Sequence, residues 1–126
     1  MNVVDSSGWL EFFRAGANGP VFKPVIEDRN HLLVPTISLF EVHRVLSRSV
    51  DADLVKRCLD VMRLGRVLEF TDARTVAAAH IAALHKMAMA DAAIYAMARE
   101  FDATFWTQDA DCQGLDGVHY QPKPGA

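Results

Sequence analysis

Four carboxylates stand where carboxylates are hard to explain as surface groups. Asp5 directly follows the apolar run Val3-Val4, and Asp109 closes Phe105-Trp106-Thr107-Gln108-Asp109. Both positions read as the carboxyl ends of buried strands. Glu41 sits inside Ile37-Ser38-Leu39-Phe40-Glu41-Val42, one turn from Ile37 and Val45. Asp91 sits inside Met89-Ala90-Asp91-Ala92-Ala93-Ile94. A lone carboxylate on a core-facing surface is unfavourable by several kcal/mol unless it is paired or bound to a metal. Four of them at strand ends and helix starts point to one acidic pocket holding a divalent cation. Mg²⁺ and Mn²⁺ are hard ions that prefer carboxylate oxygens and retained waters, with Ser or Thr hydroxyls nearby. Such a site activates a water and stabilises charge on a phosphate, so phosphodiester hydrolysis is the natural chemistry.

Each acid also has a plainer reading. Asp5 could only cap the helix that follows, Glu41 could face solvent, and Asp91 could be a first-turn acid favoured by the helix dipole. The last role is compatible with metal ligation. Zinc is disfavoured, because His31, His43, His80, His85 and His119 show no ligand spacing.

The elements that must position these acids alternate between strand and helix. Met1 to Asp5 reads as a central strand, with Ser6 and Ser7 offered as caps for a helix carrying Trp9, Phe12 and Phe13. Gly16-Ala17-Asn18-Gly19-Pro20 is a dense turn signal, followed by a short helix over 22–29. His31 to Pro35 reads as the second strand, and Thr36 as the cap of a helix with Leu39, Val42, Val45 and Leu46 on its apolar face. Another helix starts at Asp51 or Asp53, with Leu54 among its inward residues. Val67 to Phe70 is the third strand, Thr71-Asp72 caps an alanine-rich helix to His85, and a further helix covers 90–100. Ala103 to Thr107 is the fourth strand and Gly117 to Tyr120 a short fifth at an edge. Met87, Met89 and Met97 read as core filler. This pattern predicts an α/β fold: a three-layer α/β/α sandwich around a mainly parallel sheet of about four or five strands. In such sheets ligands bind beyond the carboxyl ends of the strands.

The bulk numbers agree. At 126 residues, 51% hydrophobic and 23% charged, the chain is one globular domain, assigned to residues 1–121, with 122–126 as a frayed tail. A formal net charge of −3 argues against a broadly basic nucleic-acid binder, yet permits acids concentrated in a pocket with a basic rim. Cys58 and Cys112 suggest neither a disulfide framework nor metal spacing. The opening residues lack the marks of a signal peptide, and no apolar stretch approaches the ~18 residues of a membrane span. A soluble cytoplasmic protein is expected.

Val3-Val4-Asp5-Ser6-Ser7 before an aromatic helix, the helical Glu41, Ala90-Asp91-Ala92-Ala93-Ile94-Tyr95-Ala96-Met97-Ala98, and Thr107-Gln108-Asp109 together resemble the PIN-domain ribonucleases. In size and spacing they look most like the VapC-type toxins of toxin–antitoxin pairs. The resemblance implies a Mg²⁺- or Mn²⁺-dependent endoribonuclease with Asp5, Glu41, Asp91 and Asp109 as its acidic quartet. It implies an RNA substrate (tRNA, rRNA or mRNA), a cognate antitoxin and a homodimer. Asp5, Asp91 and Asp109 would hold the metal, with Glu41 holding a metal-bound water or serving as general base. Ser6 and Thr107 resemble the family's accessory hydroxyls. Many relatives carry an aromatic residue shortly after the fourth acid, where this chain reads Ala110-Asp111-Cys112, so Asp111 competes with Asp109. Arg14, Lys23, Arg29, Arg44 and Arg48 form a candidate basic rim, and Arg44 and Arg48 share a helix face as RNA contacts.

Two other readings compete. One is a non-catalytic PIN-like interaction module using the aromatic helix as a docking groove. The other is a phosphotransfer domain using Asp5 covalently, disfavoured because Asp5-Ser6-Ser7-Gly8 lacks a second acid and no lysine partner is evident.

Overall fold

The computed structural model describes residues 1–125. Five strands form one sheet: β1 (Asn2–Val4), β2 (Leu32–Pro35), β3 (Arg66–Leu68), β4 (Thr104–Thr107) and β5 (Val118–Tyr120). Their order is β3-β2-β1-β4-β5, and every pairing is parallel. The chain builds outward from β1 through β2 to β3, then returns to the other side of β1 for β4 and β5. The direction of winding therefore reverses between β1 and β4, and a crevice opens at the carboxyl ends of those two strands. Asp5 follows β1, and its N–H extends the ladder by donating to Trp106 O at 3.0 Å.

Six helices cover the sheet: α1 (Ser6–Phe13), α2 (Gly19–Glu27), α3 (Thr36–Leu46), α4 (Ala52–Met62), α5 (Asp72–His85) and α6 (Met89–Glu100). Alternation along the short strands divides the core in two. Val4, Leu32 and Val34 pack with Trp9, Phe22, Val42 and Met62 from α1 to α4. Val3, Leu33 and Phe105 point to the other face, with Ile94, Tyr95 and Met97 of α6. Ala92, Ala93 and Ala98 are buried, and these small side chains let α6 lie close to the sheet. The result is the expected three-layer sandwich.

Several local expectations need correction. Neither Ser6 nor Ser7 caps α1. Asp5 does, accepting from Gly8 N, while both serines lie inside the helix. Thr36 is likewise a helical residue, and its hydroxyl accepts from Phe70 N at 3.2 Å, 34 residues away. Phe70 is thus bonded outside the ladder, and β3 runs Arg66–Leu68 rather than Val67 to Phe70. The turn signal at Gly19-Pro20 is a helix start with Pro near its first position, where no N–H is needed. His31 belongs to a short 3₁₀ turn rather than β2. Leu54 is 39% and Met89 68% exposed, so neither fills the core. The tail is anchored at its first residue, since Pro122 O accepts from Asn18 Nδ2 at 2.8 Å, while residues 123–125 are exposed. Ala126 lies outside the described residues.

Candidate active site

Asp5 is the most constrained member of the acidic set. Its side chain is almost fully buried. Oδ1 accepts from Ser7 Oγ and Gly8 N, both at 2.8 Å, and Oδ2 accepts from Thr107 Oγ1 at 2.5 Å. Thr107, on β4, is fully buried and also accepts from Asp109 N at 2.9 Å, so one hydroxyl ties the ends of β1 and β4 together. Gly8 makes the arrangement possible. A Cβ there would stand 2.6 Å from Val4 Cγ1, so only glycine lets the first turn of α1 press onto β1. Burial pushes the Asp5 carboxyl up from its usual range, and the hydrogen bonds from Thr107, Gly8 and Ser7 oppose that.

Asp91, in the first turn of α6, is the opposite case. It is half-buried, and among the described residues no side chain or backbone N–H donates to it. Its carboxyl is pushed up to about 6, first by desolvation and then by the negative charges of Asp109, Glu41, Asp5 and Asp111. Glu41 projects from the middle of α3 and accepts from Ser6 Oγ at 2.6 Å. Asp109 caps the 3₁₀ turn Ala110–Cys112 by accepting from Asp111 N.

The four acids line one cleft of about 320 Å³ together with Ser6, Ser7, Leu10, Val45 and Lys123. Side chains separated by up to 104 positions (Asp5 to Asp109) thus line one cleft at the winding reversal. Asp91 and Asp109 also line a second cleft of about 530 Å³ with His85, Lys86, Asp111 and Cys112. Asp111 is exposed and borders only this second cleft. Burial and the surrounding carboxylates push the Cys112 thiol up to about 12, so it stays neutral. Arg44 is exposed on α3, but Arg48 lies in the turn beyond the helix end at Leu46, so the two do not share a helix face as expected, and neither lines either cleft.

The acids ring the cleft rather than meet at a point. Among the described residues, no three His, Cys, Asp or Glu side chains form a ready-made metal cage. Mg²⁺ and Mn²⁺ keep several waters and take one or two direct carboxylates, so residues that would hold one need not form a closed cage. The donor set that would hold such an ion is all oxygen.

The family model described as "PIN domain" matches residues 3–118. The chain belongs to the PIN-domain family. Its PIN fold is shared with solved structures of low sequence identity. A toxin–antitoxin complex from Klebsiella pneumoniae matches with a TM-score of 0.80 at 16% identity, covering 98% of this chain and 99% of the other. The sarcin-ricin-loop-cleaving toxin VapC20 of Mycobacterium tuberculosis matches with a TM-score of 0.75 at 18% identity, covering 94% and 98%. VapBC2 of Rickettsia felis, bound to a DNA fragment from its promoter, matches at 0.73 and 12%, covering 96% and 97%. No curated protein sequence matches the chain.

Sequence reasoning did not assign roles to Lys123, Asn18 or Gln108 in this PIN domain. Asn18 Nδ2 donates to Gln108 Oε1 at 2.7 Å across 90 positions, and both residues are buried. A polar residue in a turn signal carries no mark of so distant a partner. Among the described residues no helix is long and apolar enough to cross a membrane.

Proposed function

We propose that this PIN domain is a Mg²⁺- or Mn²⁺-dependent endoribonuclease, the toxin half of a toxin–antitoxin pair acting in the cytoplasm. The observation that carries the reading is Asp91: a half-buried carboxylate without a donor, facing the charges of Asp109, Glu41, Asp5 and Asp111. An acidic cleft of this kind repels a polyanion until a cation fills it. Asp5 and Asp91 would hold the ion directly, and Asp109 would hold it directly or through water. A bound divalent ion supplies an acidified water and charge neutralisation at the phosphate.

The chain's own groups then have distinct tasks. Ser7, Gly8 and Thr107 fix Asp5 and leave one lone pair of Oδ2 for the ion. Ser6 orients Glu41, whose other oxygen is left to take a proton from the attacking water. Thr107 sets Asp109 through its backbone N–H. Asp109 rather than Asp111 is the fourth acid, because it borders the cleft that Asp5 and Glu41 share. Arg44 on α3 and Arg48 in the turn after it, three and seven positions after Glu41, would meet RNA phosphates farther out.

A structured RNA loop in a tRNA or ribosomal RNA is the proposed substrate, by likeness to the toxin whose target its name gives. A cognate antitoxin and a homodimer are the proposed partners. The groove between α1, α2 and α4, lined by Phe12, Phe13, Ile26, Leu54 and Val61, offers an amphipathic antitoxin helix a seat. The test is RNA cleavage with Mn²⁺ and with EDTA, beside calorimetric Mn²⁺ titration, for the parent protein and for Asp5→Asn and Asp91→Asn. Metal-dependent cleavage lost in both variants supports the reading. Undiminished cleavage by both removes it.

A further inference from the structure

The acid-bearing cleft has one basic side chain in its lining among the described residues: Lys123, in the segment that follows the edge strand β5. The residues just before it are held by hydrogen bonds. Gln121 N donates to Thr107 O at 2.8 Å, carrying the β4–β5 ladder one step past β5. Asn18, in the turn between α1 and α2, donates to Pro122 O at 2.8 Å and to Gln108 Oε1 at 2.7 Å. Gln108 Nε2 reaches Ser7 O at 3.4 Å, beside Asp5. Asn18 and Gln108 are only 8% and 5% exposed, and a buried amide pair of this kind holds one geometry because misplacing it leaves polar atoms unpaired. The pair bolts residue 122 to the strand end that carries the site, and Lys123 is the next residue.

Lys123 also borders an adjoining cleft of about 200 Å³ lined by Ser7, Leu10, Glu11, Arg14 and Gln108. A groove therefore leaves the acidic centre, passes Lys123 and reaches Arg14. Glu11 is the one carboxylate along this second stretch. Lys and Arg contacts to backbone phosphates strengthen nucleic-acid binding, and this groove places one such cation beside the acids and another beyond it.

We propose that Lys123 is a substrate-contact residue that receives the backbone phosphate next to the one being cleaved, with Arg14 beyond it. Asn18 and Gln108 are positioning residues that aim it. The proposal rests on the nuclease reading above and names the direction in which single-stranded RNA leaves the site.

The test measures binding of a short fluorescent single-stranded RNA to the full chain, with Ca²⁺ replacing Mg²⁺, as a function of salt. Lys123→Ala is expected to weaken binding about five- to tenfold at low salt and to lower the salt slope by about 0.7, the value of one phosphate contact on a single strand. Lys123→Arg is expected to keep the parental slope. Asn18→Ala, checked for its fold by circular dichroism, is expected to lose slope as Lys123→Ala does, and the double variant to lose no more. Mn²⁺ affinity measured by calorimetry is expected to be the same for Lys123→Ala and the parent. A parental salt slope in Lys123→Ala overturns the proposal. So does a Mn²⁺ affinity that rises in this variant, because Lys123 would then be a counter-ion of the carboxylates. The two readings fail separately: a parent protein that binds no Mn²⁺ removes the metal-nuclease reading, and the salt slope of Lys123→Ala reports on the phosphate contact alone.

Discussion

Asp5 and Asp91 border the same cleft under opposite conditions. Asp5 is buried at the end of β1 with three donors on its two oxygens, and its neighbours Ser7, Gly8 and Thr107 come from two elements of the fold. Asp91 is half-exposed on α6, has no donor among the described residues, and faces other carboxylates. One side of the site is built without help. The other side is left electrostatically open. On the metal-nuclease reading proposed above, such asymmetry would keep one ligand in place without the cation and give the cation a reason to bind, since it would relieve the repulsion around Asp91.

The sharpest way to break this comparison is to remove either charge. Asp5→Asn and Asp91→Asn should each lower metal-dependent RNA cleavage by about a thousandfold or more, the scale of several kcal/mol of transition-state stabilisation, read as initial rates. Thr107→Val should separate the two sides. It deletes the donor to Asp5 Oδ2 and strands Asp109 N. A loss of ~1–3 kcal/mol in denaturant unfolding is expected, with Mn²⁺ affinity falling ~10–100-fold by calorimetry. Conversely, an unchanged Mn²⁺ affinity in this variant would mean that Asp5 is not held for the metal.

Without metal, Asp91 should make the protein less stable at neutral pH, the reverse of an ordinary paired carboxylate. Its folded pKa of about 6 lies above the ordinary 3.8. The penalty is fully present above about 6, shrinks as pH falls through that value, and is gone below 3.8. Asp91→Asn should therefore raise metal-free stability at pH 7.5 by ~1–2 kcal/mol after allowance for solvent screening. The gain should vanish near pH 4, as read from chemical denaturation at both pH values. A gain independent of pH would point to packing rather than charge. Smallest of all, Ser6→Ala should lower cleavage by less than ~10-fold, because Glu41 keeps its place on α3 and loses one orienting bond.

Much of this was legible before the fold was known. Val3-Val4 before Asp5 and the all-apolar surroundings of Asp91 announce residues forced inward, and the strand–helix alternation announces a parallel sheet with its ligand edge at the carboxyl ends. What local reasoning misassigned were groups whose partners are remote. Ser6 and Ser7 look like caps because cap preference is local, yet Asp5 takes the cap and frees Ser6 to reach Glu41, 35 positions on. Thr36 looks like a cap for the same reason and instead holds Phe70. Pro122 looks frayed because composition cannot reveal that Asn18 donates to its O across 104 positions.

The order of residue types alone determined the strand–helix alternation, the inward acids and the family resemblance, since periodicity and local preference act over a few residues. Only the tertiary structure decided that β4 lies beside β1, that one buried hydroxyl joins Asp5 to Asp109, and that Lys123 borders the acids. Those are meetings of groups far apart along the chain, and the energies that select them come from burial and hydrogen bonding, which no short window of sequence contains.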